Sequence, residues 1–441
     1  MLTFDEIAKW TSNDWKNPDG FSQGLENLKI CHDTRTLNAG DIYLAIRGET
    51  HDGHDFVEQA VAKGAAAIIV EREFPAFTKA SADKPNRPAP QLVVPDTIAA
   101  LWQIAAGVRS TWTGTVIGVT GSAGKTTVKE MIAAVLSKKG TVAKTLGNWN
   151  NEIGLPLSMI AADRTADYLV FELGMSHPGE IDLLAGLLKP DWALITNIGK
   201  AHIGFFQGLE PTASGHSTLD QALGRIADEK AAILRHAQHG LLDADSEWFG
   251  RMKECFDGRV IALTEEPFNV SQPGEHMMQN ARFAATLGVE LGLSKEEVQA
   301  GLDEFEPPPM RWARSLHHGI VFINDAYNAN PLSMRAAIST FAELPCEGRK
   351  FLVLGGMREL GGAEEEEHRM LGEFIEAYSF ERVITVGPLG AKIVCNGLIG
   401  IEKSAAAEVL RDELRAGDMV FLKASRGERL ETILEDLKTK I

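Results

Sequence analysis

One stretch constrains this chain more than any other: TGSAGKTT at Thr120–Thr127, lying between an apolar run and an amphipathic one. TVIGVT (Thr115–Thr120) has the β-branched, apolar character of a buried strand, and Val128, Met131, Ile132, Val135 and Leu136 then recur at helical spacing. A strand, a glycine-rich turn and a helix in that order direct successive backbone N–H groups and a helix amino terminus at one anion. Gly121 and Gly124 let the backbone turn, Lys125 supplies a compact positive charge, and Thr126 offers a hydroxyl for Mg²⁺. The stretch reads as a phosphate loop, with Gly121, Ser122, Ala123, Gly124, Lys125, Thr126 and Thr127 as its nucleotide contacts. The generic GxxxxGK[ST] spacing is missed because its first glycine position is Val119, so the plain alternative is a glycine-rich turn before a core helix.

A phosphate loop needs a sheet behind it, and the surrounding pattern supplies one. Short apolar runs alternate with amphipathic stretches, which predicts an α/β fold of parallel strands covered by helices. YLVFEL (Tyr168–Leu173), WALITNI (Trp192–Ile198), IVFIND (Ile320–Asp325), FLVLGG (Phe351–Gly356), VITVG (Val383–Gly387) and MVFLKA (Met419–Ala424) read as further central strands. A final helix carries Leu430, Ile433, Leu434 and Leu437 on one face. At roughly 100 to 200 residues per domain, 441 residues imply more than one core. Five prolines between Phe74 and Pro95 make a composition that neither a helix nor a central strand tolerates, and EFEPPPM (Glu304–Met310) forces extended backbone. These breaks divide the chain at about 1–95, 96–309 and 310–441.

Charge and composition exclude several classes. Lys plus Arg number 44 against 61 Asp plus Glu, a net charge of −17 that repels nucleic acid and anionic membrane. The amino terminus, MLTFDEIAKW, carries acids where a secretory signal would carry positive charge, so export is not expected. Apolar stretches such as Ile98–Val108 fall short of the ~20 residues needed to span a bilayer. Cys31, Cys255, Cys346 and Cys395 form no CxxC pair, which suits a reducing cytoplasm.

Phosphate-bound Mg²⁺ calls for hard oxygen or imidazole ligands at the carboxyl ends of neighbouring strands. Glu172 ends an apolar strand, where an isolated carboxylate is costly to bury unless a cation meets it. His202, in IGKAHIG, taken alone reads as a structural histidine rather than a ligand.

Longer stretches carry a resemblance over nearly the whole chain. TGSAGKTTVKEM, GNWNNEIGLPLSM (Gly147–Met159), FELGMSHPGEI, NDAYNANPLSM (Asn324–Met334), LGGMRELG with His368, and KASRG (Lys423–Gly427) resemble motifs of the Mur ligase family, most closely its MurF type. HDTRTLNAGDIYLAIRGETHDGHDF (His32–Phe56) is similar to the module that holds the UDP end of the substrate in that type. The resemblance implies three α/β domains: a small amino-terminal substrate domain, a central P-loop-type parallel sheet with helices on both faces, and a carboxy-terminal Rossmann-like domain. It implies an ATP-dependent ligase joining D-alanyl-D-alanine to UDP-N-acetylmuramoyl-tripeptide in peptidoglycan precursor synthesis; a cytoplasmic monomer is expected.

Residue by residue, the resemblance implies that Lys125, Lys230, His202 and Arg311 are catalytic, Lys230 as a carbamylated lysine. Thr126, Glu172 and His202 would hold Mg²⁺, and Asn280, Arg311 and Asp325 would contact ATP. Asp33, Thr34, Arg35, Asn148, Asn150, Asn151, Tyr327, Asn328, Asn330, Lys423 and Ser425 would contact substrate. The chain departs from the family pattern at Met277, where HNxxN becomes HMMQN, at Gly356, where GDM becomes GGM, at Ala232, and in a short 263–274 segment. EEEEH (Glu364–His368) reads as the solvated first turn of a helix, and His317 and His318 as adjacent residues of a hairpin that point apart. The rival readings are a sister Mur or folylpolyglutamate-type ligase, and a nucleotide-binding scaffold that has lost ligase chemistry.

Overall fold

A computed structural model describes residues 2–18, 28–75, 89–206, 219–266, 268–395 and 398–440. Pro85 and Pro88 of the proline-rich stretch, and Pro267 of the 263–274 segment, lie outside them. The strands, in chain order, are β1 (Trp15–Lys16), β2 (Ile30–Cys31), β3 (Ile42–Leu44), β4 (Ala67–Val70), β5 (Gln91–Val93), β6 (Thr115–Thr120), β7 (Val142–Lys144), β8 (Tyr168–Glu172), β9 (Trp192–Ile195), β10 (His239–Leu242), β11 (Arg259–Ala262), β12 (Ala313–His317), β13 (Ile320–Asn324), β14 (Lys350–Leu354), β15 (Arg382–Val386), β16 (Leu398–Ile401) and β17 (Met419–Lys423). They form three mostly parallel sheets interleaved with helices, as the alternating pattern predicts. Internal contacts group the chain into two compact units: residues 1–116, 141–173 and 183–190, and residues 117–140, 174–182 and 191–441.

In the first unit the strand order is β1-β5-β4-β3-β2, with β1 antiparallel to β5 and the other pairs parallel. Gln91–Val93 is therefore an interior strand inside the stretch expected to tolerate none. The prolines bracket it rather than interrupt it: Pro90 needs to contribute only its carbonyl, which accepts from the Ile68 N–H at 2.9 Å. The helix Thr97–Arg109 starts at Asp96, whose carboxylate accepts from the N–H groups of Ile98 and Ala99. It packs on Phe4–Thr11 so closely that a Cβ at Gly107 would lie 2.1 Å from the Trp10 ring. β7 and β8 pair in parallel, and Trp112 stacks on Phe171 from β8 with ring centres 5.3 Å apart.

In the second unit the parallel order β11-β10-β9-β6 brings the carboxyl ends of β6 and β9 side by side, Thr120 opposite Ile195. The helix Lys125–Leu136 leaves β6 through the glycine-rich turn and buries Val128, Met131, Ile132, Val135 and Leu136, the positions the 3.6-residue period selected. Gly288 and Gly301, on the helices Glu275–Glu290 and Lys295–Asp303, allow those helices to close on Val135. The third sheet runs β12-β13-β17-β14-β15-β16, with the last strand inserted between β13 and β14. β12 and β13 form a hairpin whose turn uses left-handed His318 and Gly319. Leu430, Ile433, Leu434 and Leu437 are all buried.

Candidate active site

The phosphate loop is tied down by the residues that end β9. Thr196 Oγ1 and Asn197 Nδ2 donate to the Ala123 carbonyl, Asn197 Oδ1 accepts from the Ala123 N–H at 2.8 Å, and Ser122 Oγ exchanges hydrogen bonds with the Gly199 backbone. This is why β9 stops at Ile195 although the apolar run continues to Ile198: Thr196 and Asn197 turn their side chains to the loop. Gly124 has φ 80° and caps the helix Lys125–Leu136, a conformation that costs about 1–2 kcal/mol with any side chain. A Cβ at Gly121 would meet Thr196 Oγ1 at 1.9 Å, and one at Gly124 would meet Asn280 Oδ1 at 2.6 Å. Lys125 folds back, its Nζ donating to the Gly121 carbonyl at 2.9 Å. The structure thus brings the loop, Lys125 and Asn280 together. Met277 is buried, and its sulfur receives the Asn280 amide at 3.9 Å, so the departure from HNxxN replaces a polar side chain by a soft acceptor.

Residues of the third sheet reach the same loop. Arg311 Nη2 donates to Thr126 Oγ1 at 2.9 Å while its guanidinium lies over the Tyr327 ring, 4.3 Å from the centre. Tyr327 accordingly supports Arg311. Asn330 caps the helix Pro331–Glu343 through Ser333 and donates to the Ser122 carbonyl at 3.2 Å. Asp325 accepts from Lys423 Nζ at 2.5 Å and from the Trp312 N–H at 3.1 Å. Lys423 also donates to the Asn328 carbonyl, and Ser425 Oγ accepts from the Arg358 N–H, so both join strand ends within the third sheet.

Lys230 is buried in the helix Leu219–Ala231 at 2% exposure. Burial, with the Lys125 ammonium adding to it, pushes its amine well below the usual lysine range, against the pull of Glu229. An amine so placed gives up its proton more readily than an exposed lysine does. His202 has its Nδ1 in ion-pair contact with the Glu359 carboxylate, which the imidazole holds below the usual range. Glu367 belongs to the acidic run expected to be solvated, yet it is 2% exposed. It accepts from Lys200 and, at 3.5 Å, from Arg335, two cations that make its burial tolerable. His368 is fully buried and accepts from the Met357 N–H at 2.9 Å, a structural role. Gly356 leaves no room for the aspartate of the family pattern, because an added Cβ would lie 2.1 Å from Leu389 Cβ.

The remaining predicted residues lie in the first unit. Arg35 clamps Asp33 through three side-chain hydrogen bonds, which together with its backbone N–H hold the Asp33 carboxyl at about 2. Thr34 is buried and donates to Gln59 at 3.0 Å. Asn150 donates to Glu172 Oε1 at 2.7 Å, Asn151 Oδ1 accepts from the Gly154 N–H, and Asn148 is exposed. Glu172 is buried at the end of β8, with Asn150 orienting its carboxylate. The sequence reading does not single out Thr196, Asn197, Lys200 or Glu359, and takes Glu367 only as part of the solvated acidic run. A polar Thr-Asn pair interrupting an apolar run beside the loop was the available signal for the first two.

Three family models match: "Mur ligase family, catalytic domain" over residues 29–109, "Mur ligase middle domain" over 119–288, and "Mur ligase, glutamate ligase domain" over 310–426. A UDP-N-acetylmuramoyl-tripeptide–D-alanyl-D-alanine ligase of Bacillus subtilis is 36% identical, covering 99% of this chain and 98% of the relative. The Escherichia coli protein of that name is 32% identical over 93% of both chains. Among solved structures, a MurF of Acinetobacter baumannii superposes with TM-score 0.83 at 29% identity, covering 100% of this chain and 99% of its own. A MurF ligase of Thermotoga maritima in complex with ADP superposes with TM-score 0.77 at 26% identity, covering 95% of this chain and 99% of its own. With three family models matched along its length and a relative 36% identical over 99% of it, the chain belongs to the Mur ligase family, whose members are ATP-dependent amide-forming ligases.

Proposed function

We infer that this protein joins D-alanyl-D-alanine to UDP-N-acetylmuramoyl-tripeptide at the expense of ATP, in peptidoglycan precursor synthesis. The meeting of Arg311 and Thr126 on the phosphate loop carries the reading, in a chain whose near-full-length relatives bear that ligase name. A carboxylate is a poor electrophile, so the terminal phosphoryl group of ATP passes first to the tripeptide carboxylate, giving an acyl phosphate and ADP. The dipeptide amine attacks the acyl carbon, loses its proton, and the tetrahedral intermediate expels phosphate. Charge develops on phosphoryl and acyl oxygens in both steps, which is where Lys125 and Arg311 act.

Asn280 would meet the adenine side and Asp325 the ribose. Thr126, Glu172 and His202 suit Mg²⁺, being hard oxygens and an imidazole. The described residues hold no group of three His, Cys, Asp or Glu able to bind a metal alone, so phosphate oxygens and water would complete the shell. Mg²⁺ would neutralise phosphate charge there. Lys230, as a neutral amine, would bond to carbon dioxide and release a proton, becoming a carbamate anion. Asp33, Thr34 and Arg35, in segment 1–95, would hold the UDP end. Asn148, Asn150, Asn151, Tyr327, Asn328, Asn330, Lys423 and Ser425 would contact the peptide substrates. No helix among the described residues is long and apolar enough to cross a membrane. We place the protein in the cytoplasm as a monomer, acting on these small substrates and on neither nucleic acid nor membrane.

The deciding assay is phosphate release with the acceptor supplied or omitted. Release that requires both the tripeptide substrate and D-alanyl-D-alanine is expected; nucleotide binding without such release would leave a scaffold, and release with a single amino acid would point to a sister ligase. Lys125→Ala should lower kcat by about 10²–10³ or more with the fold intact, the usual loss for one positioned charge.

A further inference from the structure

Two non-glycine residues in the left-handed region face one another at the junction of the middle and last segments: His202 with φ 60° and Glu359 with φ 65°. Such conformations are uncommon outside glycine and persist where the surroundings impose them. The imposing contact is visible. The Gly204 N–H donates to the Glu359 carbonyl at 3.1 Å, and a Cβ at Gly204 would lie 2.7 Å from the Gly361 backbone nitrogen. The short helical turn Ile203–Phe205 thus rests directly on the loop that follows β14. The result is that the Glu359 carboxylate meets His202 at Nδ1 and not at Nε2. That nitrogen is buried, and the carboxylate is its ion-pair partner. His177 and Arg358 are further neighbours that help hold the Glu359 carboxyl below the usual range.

We propose that Glu359 is the positioning residue of His202: it holds the proton on Nδ1 and fixes the ring, leaving Nε2 as the nitrogen offered to the metal of the nucleotide site. The inference rests on the reading of His202 as a metal ligand. Imidazole ligands commonly donate their second N–H to a carboxylate, which sets tautomer and orientation. Here the carboxylate comes from the loop after β14 and the histidine from the loop after β9, so a correctly presented ligand requires the two segments to be docked.

The test uses the full chain with Mn²⁺ and ADP. Glu359→Gly removes the carboxylate while suiting the left-handed backbone, so the fold should survive, which a melting curve checks. Its Mn²⁺ affinity in the ADP complex, read by electron paramagnetic resonance, should fall about 10- to 100-fold, with metal-free ADP binding unchanged. Nitrogen-15 NMR should show the His202 proton confined to Nδ1 in the parent and distributed over both nitrogens in the variant. Glu359→Gln, whose amide oxygen still accepts from Nδ1–H, should stay within a few-fold of the parent. Unchanged Mn²⁺ affinity and tautomer in Glu359→Gly would overturn the proposal. If His202→Ala weakens Mn²⁺ binding in that same case, the ligand reading stands and the positioning role alone falls; if His202→Ala has no effect, both fall.

Discussion

Lys230 and Lys423 are both almost completely buried, at 2% and 3% exposure, and both sit near the candidate active site, yet their surroundings oppose one another. Lys423 lies 2.5 Å from the Asp325 carboxylate. Lys230 has the Lys125 ammonium as a neighbour, and burial and that like charge drive its amine down. Burial alone does not decide what a lysine does. One meets a carboxylate that pairs with it, while burial, reinforced by a like charge, pushes the amine of the other down.

The comparison can be broken most severely at Asp325. Asp325→Asn would leave the Lys423 ammonium buried without its acid, a change that typically costs about 3–5 kcal/mol. Denaturant unfolding should show this loss, and adding Lys423→Met should recover part of it. Parent-like stability in the single variant would mean that the pair carries little.

Lys230 should respond in the opposite sense. Its folded value lies below the unfolded one of 10.5, so the unfolded chain binds more protons and stability is lost as pH falls from that value toward the folded one. Lys230→Met has no such loss. In buffer free of carbon dioxide, its stability advantage over the parent should widen as the pH is lowered from the alkaline side. A gap that does not vary with pH would refute the depressed amine. Supplying bicarbonate sharpens the test: native mass spectrometry should then find one added carbon dioxide on the parent and none on the variant.

The smallest effect is expected at Glu367. Glu367→Gln leaves Lys200 and Arg335 facing an amide instead of a carboxylate, which should destabilise by about 1–3 kcal/mol. No change in thermal melting would return the acidic run to the solvated role that its composition suggested.

That run shows where reading by composition fails. Four consecutive glutamates at a helix start look solvated because helix-dipole chemistry explains them locally. Which of the four is buried depends on where Lys200 arrives from 167 residues away. The proline-rich stretch failed for a related reason: proline bars a strand where its N–H is needed, and Pro90 stands where only a carbonyl is used. The Gly356 departure is likewise explained only in space, where Leu389 occupies the room an aspartate would need. The phosphate loop was legible because its chemistry is local. Strand, turn, lysine and helix start lie within one short stretch, and each residue type there has one dominant physical use.

The order of residues by itself determined the parallel α/β class, the glycine-rich turn between strand and helix at Gly121–Thr126, the buried faces of the helices, and the family, because periodicity and backbone chemistry act over a few positions. Tertiary structure alone decided which charges meet: Arg311 with Thr126, Lys423 with Asp325, Lys200 with Glu367, and His202 with Glu359. Electrostatic interaction depends on separation and burial in space, and neither is encoded in spacing along the chain.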